Sequence, residues 1–150
     1  MSKELPNKLS QLLRIAVKDA QKCSKSRKYM LDMSQWHAGR VNSYDTCQVC
    51  MAGAVMAQTL KSDCNISYIP EDFGDSANKK LGCINSMRSG CINEAYRELT
   101  EKFTSDLLVS QRNAISRANE VIFDSYKDSK DRATWKAYIK AANILSRAGL

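Results

Sequence analysis

The chain has 150 residues, which is enough for one domain with a substantial core and short for two. Hydrophobic residues make up 43% of it and charged residues 26%, a composition typical of globular proteins that excludes the disordered and fibrous classes. The formal net charge is +7, with a pI near 9.2, so an anionic partner is one candidate. We therefore expect a single domain over residues 1–150.

The sequence carries no targeting or membrane signal. No apolar run approaches the ~18 residues of a membrane span, and charges interrupt the N-terminal stretch where a signal peptide would have its apolar core. This predicts a cytoplasmic protein with no membrane partner. Its cysteines are then expected to stay reduced, most of them as small buried hydrophobes, at Cys23, Cys47, Cys50, Cys64, Cys83 and Cys91.

The N-terminal segment carries the first predicted helix. Apolar residues recur at three- and four-residue intervals from Leu9 to Ala20, which predicts an amphipathic helix over Pro6–Cys23. The opposite face of this helix is basic, and the basic block extends past its end. Solvated charge is the ordinary interpretation of such a face, and a phosphate-binding surface is the alternative. The residues concerned are Lys18, Lys22, Lys25, Arg27 and Lys28.

The segment Trp36–Leu60 holds the most informative pattern. Residues 29–44 lose helical periodicity and predict a loop. A second helix is predicted over Thr46–Lys61, in which the only charge is the last residue, and a helix that is apolar nearly all round is a buried one. Gly53 within it indicates the close approach of a neighbouring backbone, most simply that of a crossing helix. We place this helix at the centre of the domain.

Further amphipathic helices follow an acidic, exposed connection at residues 62–76, which contains a short extended piece at Ile66–Ile69. The fifth helix follows the fourth either as a bent continuation or as a separate element. The predicted ranges are Ser76–Ser89, Ile92–Thr104, Ser105–Tyr126 and Asp131–Arg147. No sustained alternating run accompanies them. The predicted fold class is therefore all-α, a single compact domain of five or six helices around a buried central helix at about residues 46–61.

Cys47 and Cys50 form a Cys-x-x-Cys pair at the predicted start of the central helix. Zinc prefers thiolate and imidazole ligands at such spacing, and His37 lies ten residues upstream of Cys47 across a loop that could fold back. A structural zinc held by His37, Cys47 and Cys50 is therefore a candidate cofactor, although no second close pair supplies the remaining ligand. The same thiols could be redox-active, because a helix N-terminus stabilises a thiolate. Two small side chains packed in the core, with no cofactor, are the preferred interpretation.

No motif marks a catalytic site. The sequence has no phosphate-binding glycine loop, no Walker sequence and no Glu-x-x-His helix, so no catalytic residue is assigned and a binding protein is preferred to an enzyme. The basic ends of the chain give nucleic-acid binding electrostatic support, although acidic residues interrupt the last two helices. The basic candidates on those two helices are Arg112, Lys136 and Lys140. Binding of a protein partner, by a helical groove or by the acidic connection, is a comparably simple function for a small domain.

From Met33 to Ala57, the pattern Met-x-x-Trp-His followed by Cys-x-x-Cys-Met-Ala-Gly-Ala-Val-Met-Ala resembles a signature in small hypothetical proteins of tailed bacteriophages, including T4-like phages. The resemblance implies a protein made in the cytoplasm of an infected bacterium and carries over no activity. We therefore expect a non-enzymatic phage accessory protein that binds a host or viral protein. Nucleic-acid binding through basic faces of the first and last two helices is the first alternative. A small zinc-stabilised domain is the second.

Overall fold

Helices make up most of the computed structural model, which describes residues 4–40, 46–127 and 132–150. Within those ranges the chain forms six α-helices: α1 (Leu9–Lys25), α2 (Met51–Gln58), α3 (Asp75–Arg88), α4 (Ile92–Thr100), α5 (Val109–Tyr126) and α6 (Trp135–Arg147). It also forms three short strands: β1 (Tyr29–Leu31), β2 (His37–Ala38) and β3 (Cys47–Val49). Short 3-10 helices lie at Pro70–Phe73 and Thr104–Asp106. A compact, predominantly helical domain is confirmed, and the sheet corrects the all-α class.

The three strands form one sheet in the order β1, β3, β2. β3 lies in the middle, parallel to β1 through the pair Tyr29 and Cys47 and antiparallel to β2 through the pair His37 and Val49. A bridge from His37 to Tyr68 adds part of the extended piece predicted within the acidic connection. Strands of two or three residues are too short to show the alternation of apolar and polar residues that reveals a strand in sequence. Periodicity therefore predicts a loop where β1 and β2 lie.

The predicted helix Thr46–Lys61 is divided into a strand and a shorter helix. β3 is paired with a neighbour on each side, and all of its residues are buried. α2 begins only at Met51, after Cys50, which has an extended conformation with φ −83° and ψ −172°. The sulfur of Cys50 accepts a hydrogen bond from the amide of Gly53 at 3.4 Å and so caps the helix. Sheet pairing therefore overrides the helical pattern ahead of Met51.

α2 is nonetheless the buried centre of the domain. Every residue from Met51 to Ala57 is buried, and α1, α3 and the sheet pack against this helix. Because it carries no charge, all of its faces can contact apolar neighbours. The prediction of a buried central helix is confirmed over these residues. Although α2 is strongly apolar, no helix in the described ranges is both long and apolar enough to cross a bilayer.

Gly53 is the point at which another backbone comes closest to α2. A Cβ at this position would overlap the carbonyl oxygen of Trp36 and lie 3.1 Å from the Cβ of Val49. The approaching backbone thus belongs to the segment that leads into β2, and the prediction of a crossing helix is wrong. The amide of Cys50 donates to the same Trp36 oxygen at 3.4 Å. The loop, the end of β3 and the first turn of α2 therefore meet at one carbonyl group.

α4 and α5 are separate helices. α4 ends at Thr100, four residues before its predicted end, because Glu101 adopts a left-handed conformation with φ 60° that a helix cannot continue. A 3-10 turn intervenes before α5 begins. Gly90, with φ 84°, lies just past the end of α3, where a stop is predicted.

α1 and α6 begin later than predicted. α1 starts at Leu9, three residues after Pro6. The hydroxyl of Thr134 accepts a hydrogen bond from the amide of Ala137 at 3.1 Å, and this cap sets the start of α6 at the next residue. Asp131, the predicted start of that helix, lies outside the described residues.

α1 and α6 form an antiparallel pair. The amide of Ser10 donates to the carbonyl of Leu150 at 3.2 Å, and the guanidinium of Arg14 donates to the side-chain oxygen of Asn143 at 2.9 Å. Residues later in α1 therefore lie against residues earlier in α6, so the two helices run in opposite directions. α6 also packs against α5, and α3 packs against α4. The first and last helices of the sequence thus lie side by side.

The two helical glycines, Gly53 and Gly82, give a matched test of this packing. Gly53→Ala should lower the free energy of unfolding by about 3 kcal/mol, because its methyl group has no space beside Trp36. Gly82→Ala should raise it by about 0.5–1 kcal/mol, since alanine is the better helix former and its Cβ meets only a side-chain oxygen of Glu98 at 3.3 Å. Urea unfolding measures both. Equal effects of the two substitutions would contradict the close approach at Gly53.

Candidate functional site

Cys47 and Cys50 point to different sides of the sheet. In a helix, residues three apart share a face, but successive side chains of an extended chain alternate, so residues three apart lie on opposite faces. Cys47 lies in β3 and Cys50 is still extended, so the alternation reaches both. The sulfur of Cys47 lies 3.6 Å from both ring nitrogens of His37. The sulfur of Cys50 instead lies 3.8 Å from the carbonyl oxygen of Trp36. The structure therefore joins two of the three predicted metal ligands and separates the third.

His37 is a buried imidazole whose polar atoms are satisfied locally. Only 2% of its surface is exposed, and its Nε2 lies 2.8 Å from the hydroxyl of Ser62. The ring also makes an edge contact with Tyr68 at a centroid distance of 5.0 Å. Burial lowers the pKa of His37 below its usual value of 6.5. The ring is therefore neutral at pH 7, and Ser62, which the sequence does not single out, serves to satisfy it.

Two further cysteines, which the sequence leaves unassigned, lie close to Cys47. The carbonyl oxygen of Lys28 accepts a hydrogen bond from the amide of Cys47 at 2.9 Å and another from the thiol of Cys64 at 3.6 Å. Cys23, at the end of α1, lies close enough that ionisation of Cys64 would raise its pKa, as ionisation of Cys23 would raise the pKa of Cys47. We call Cys23, Cys47 and Cys64 the thiol cluster. No spacing motif links them, because a helix end, a strand and a loop supply one cysteine each.

The geometry does not fit the zinc site. In the described part of the chain, no three His, Cys, Asp or Glu side chains are arranged as the ligands of a metal ion. The two nitrogens of an imidazole point in diverging directions, so a sulfur equally distant from both lies in line with neither lone pair. One of those nitrogens already contacts Ser62. The Cys50 thiol faces away from Cys47 and His37. The cysteines near Cys47 are Cys23 and Cys64.

The buried thiols are poor nucleophiles at neutral pH. Burial raises the pKa of Cys23 to about 11 and that of Cys47 to about 12. Burial also raises the pKa of Cys50, and it outweighs the opposing effects of the Gly53 and Ala52 amides and of the Arg88 charge. The helix N-terminus therefore does not make Cys50 a thiolate. The hypothesis of a redox pair between Cys47 and Cys50 loses its support, because the two thiols are protonated and face apart.

A second candidate site is the outer surface of the α1–α6 pair. The side chains of Arg14 and Asn143 contact each other there. Further cations lie on the same side of each helix, one turn or more away from this contact. We call this surface the basic face. Its members are Arg14, Lys18, Lys22 and Lys25 of α1 and Lys136, Lys140 and Arg147 of α6, all of them exposed.

Asp19 is the only acidic residue in α1 or α6, and its side chain does not interrupt the basic face. Asp19 is only 4% exposed, and it accepts a hydrogen bond from the hydroxyl of Thr59, next to α2, at 2.6 Å. Burial raises its pKa, with partial opposition from the Thr59 hydrogen bond and from the charges of Lys22 and Lys18. Among the described residues, ion pairs form between Lys79 and Glu101 and between Lys127 and Asp124, and neither involves the basic face.

The remaining nucleic-acid candidates lie in different places. Arg27 and Lys28 are exposed and follow α1 after Ser26, so they lie close to its C-terminal end. Arg112 of α5 instead lines a hollow with Asn93 of α4 and Thr104. The structure therefore brings together the candidates from the first and last helices and leaves Arg112 apart.

A third surface is apolar. Phe103, Leu108 and Val109 lie in and beside the connection between α4 and α5, and they are 63%, 69% and 62% exposed. We call these three residues the apolar connection. The guanidinium of Arg97 lies 5.5 Å from the centre of the Phe103 ring. Contiguous exposed apolar patches are uncommon on monomers and often mark contact surfaces.

His37 provides a pH test of the buried site. It is the only histidine of the chain, and its folded pKa is lowered, so its contribution to stability is complete above pH 6.5 and is lost as the pH falls through the folded pKa. Urea unfolding should show a loss of stability between pH 7.5 and pH ~5.5. His37→Gln should be less stable at pH 7.5 by about 1–3 kcal/mol, and it should lack this loss. An unchanged pH dependence in the variant would contradict a buried neutral imidazole.

The chain matches no protein-family model, no curated protein and no solved structure. Its function is therefore inferred from its own contacts, burial and charge.

Proposed function

We propose that this protein acts by binding, and that its principal ligand is a nucleic acid held on the basic face. The observation that carries the proposal is the inward orientation of Asp19, which leaves seven cations of α1 and α6 with no exposed carboxylate on either helix. A phosphate backbone is recognised chiefly by clustered Lys and Arg side chains. An ordinary soluble surface mixes both signs of charge. The separation of sign on this helix pair thus favours a polyanion.

The spacing of the cations supports the same ligand. Lys18 and Lys25 follow Arg14 by one and three helical turns, while Lys140 and Lys136 precede Asn143 by one and two. Neighbouring side chains along each helix are about 5–6 Å apart, and packed helices are about 8–10 Å apart. Two parallel rows of positive charge result. Such rows can follow a sugar-phosphate backbone without reading base sequence.

A mobility-shift assay with a short DNA duplex tests the basic face. Binding should weaken steeply as salt rises, with a slope of about −0.9 in log K against log salt for each phosphate contacted. The double variant Lys18→Glu and Lys140→Glu should weaken binding at least about tenfold and flatten this slope, because it removes charge from both rows.

The matched control keeps the same change in net charge. The variant Lys102→Glu and Lys127→Glu alters two exposed lysines outside the basic face, so it should retain most of the affinity. Equal losses in the two double variants would mean that only net charge matters, and this would contradict a defined face. No retention of the duplex, or of a single strand of the same length, at low salt would overturn nucleic-acid binding.

A second candidate function is the binding of a host or viral protein in an infected bacterial cell. The apolar connection supports it, because its three large side chains are exposed within seven residues. Aromatic and aliphatic anchors of this kind carry much of the energy in protein interfaces. The infected cell as its setting rests on the resemblance of Met33–Ala57 to phage proteins.

Phe103 and Phe123 give a matched pair for this second function. Both are about equally exposed, at 63% and 61%, but Phe123 lies near the opposite end of α5. With a partner identified from infected cells and then purified, Phe103→Ser should weaken binding by at least about tenfold and Phe123→Ser by much less. A dimer of this chain that Phe103→Ser dissociates would instead assign the surface to a second copy.

A further inference from the structure

Arg88, in the last turn of α3, is a partly buried cation without a carboxylate partner. Its Nη1 donates to the hydroxyl of Tyr126 at 3.0 Å, and its Nη2 donates to the side-chain oxygen of Asn85 at 3.5 Å. Its Nε is buried and has no hydrogen-bond partner. Neither ion pair among the described residues includes this arginine. A charge that is taken out of water is costly unless it is paired, so a counter-charge is missing.

The carbonyl groups at the end of α3 do not supply the missing partner. Basic side chains near a helix C-terminus can donate to the last carbonyls of the helix. Here, however, the carbonyl of Met87 accepts the amide of Gly90 at 3.0 Å, and that of Arg88 accepts the hydroxyl of Tyr138 at 3.0 Å. A buried polar group without a protein partner is commonly satisfied by water or by a bound ion.

Arg88 lines a cavity of about 180 Å³ between α3 and the loop that precedes β2. Neutral polar side chains line it beside this arginine, at Ser34, Gln35 and Asn85, and no described lining residue carries a carboxylate. The cavity also reaches Cys50, the N-cap of α2, where the helix dipole favours negative charge. Burial raises the pKa of the Cys50 thiol, so Cys50 is protonated and does not supply the counter-charge.

We propose that this cavity binds a small oxyanion, a phosphate or a carboxylate, and that the guanidinium of Arg88 supplies the charge that holds it. The planar fork of an arginine matches the oxygens of both groups, and the side-chain amides of Gln35 and Asn85 can donate further hydrogen bonds. Pockets for drug-sized ligands have volumes of about 300–1,000 Å³, so this smaller cavity fits the anion itself. The inference does not depend on the proposed function, because the cavity lies on α3 and not on the basic face.

Calorimetric titration of the full-length protein at low ionic strength, with inorganic phosphate and separately with succinate, tests the inference. At least one of the two anions should bind with one-to-one stoichiometry, and the tighter of them identifies the chemical group. In a two-dimensional NMR spectrum, the same titration should shift the backbone amide signals of residues 33–36 and 85–88. Binding of neither anion, or shifts confined to other parts of the chain, would overturn the proposal.

The variant Asn85→Asp gives the sharpest test, because it places a carboxylate where the Asn85 oxygen already lies 3.5 Å from the guanidinium. This internal counter-charge should weaken anion binding at least about tenfold, and Arg88→Gln should do the same by removing the cation. The matched control is Arg112→Gln, which alters an exposed arginine in a different hollow and should keep the affinity. Unchanged affinity in Asn85→Asp, or an equal loss in Arg112→Gln, would refute the assignment.

Discussion

The fold depends on the contact between the backbone of α2 and the carbonyl group of Trp36. Only a glycine at position 53 permits this approach, and the same carbonyl oxygen receives the amide of Cys50 at the start of the helix. The approach brings β2 against β3, and β3 in turn holds β1 on its other side. Because α2 lacks charge, α1 and α3 can cover it as well. One backbone contact thus determines how the sheet and the helices share a common core.

The sequence predicts those parts of the fold that are long enough to show a period. The helices and the burial of residues 51–57 could be predicted, because apolar side chains recur along them over several turns. The strands could not be predicted, because two or three residues show no alternation. The division at Cys50 was equally hidden, since a strand buried on both faces and a buried helix have the same apolar composition. The zinc hypothesis depends on this division, because residues three apart share a face in a helix and lie on opposite faces in an extended strand.

The sequence predicts which residues belong to the candidate surfaces, but it does not predict how those residues are arranged in space. The positions of the lysines are evident in the sequence, but the neighbour of α1 is not, and neither is the side to which Asp19 turns. Arg112 belongs to the predicted basic set by charge alone, whereas its place in a hollow beside α4 follows from packing. Cys64 joins Cys47 through a carbonyl group that both contact, a relation that no spacing reveals. Surfaces of this kind are assembled by tertiary structure.

The hydrogen bond between Arg14 and Asn143 spans 129 positions of the chain. During synthesis on a ribosome, the part of α1 that packs against α6 would stay uncovered until α6 had emerged. Contacts so distant in sequence slow the search for the native state. Nascent chains of this protein would therefore expose this part of α1 until α6 is made, and an exposed apolar helix surface is the type of segment that chaperones at the exit tunnel shield.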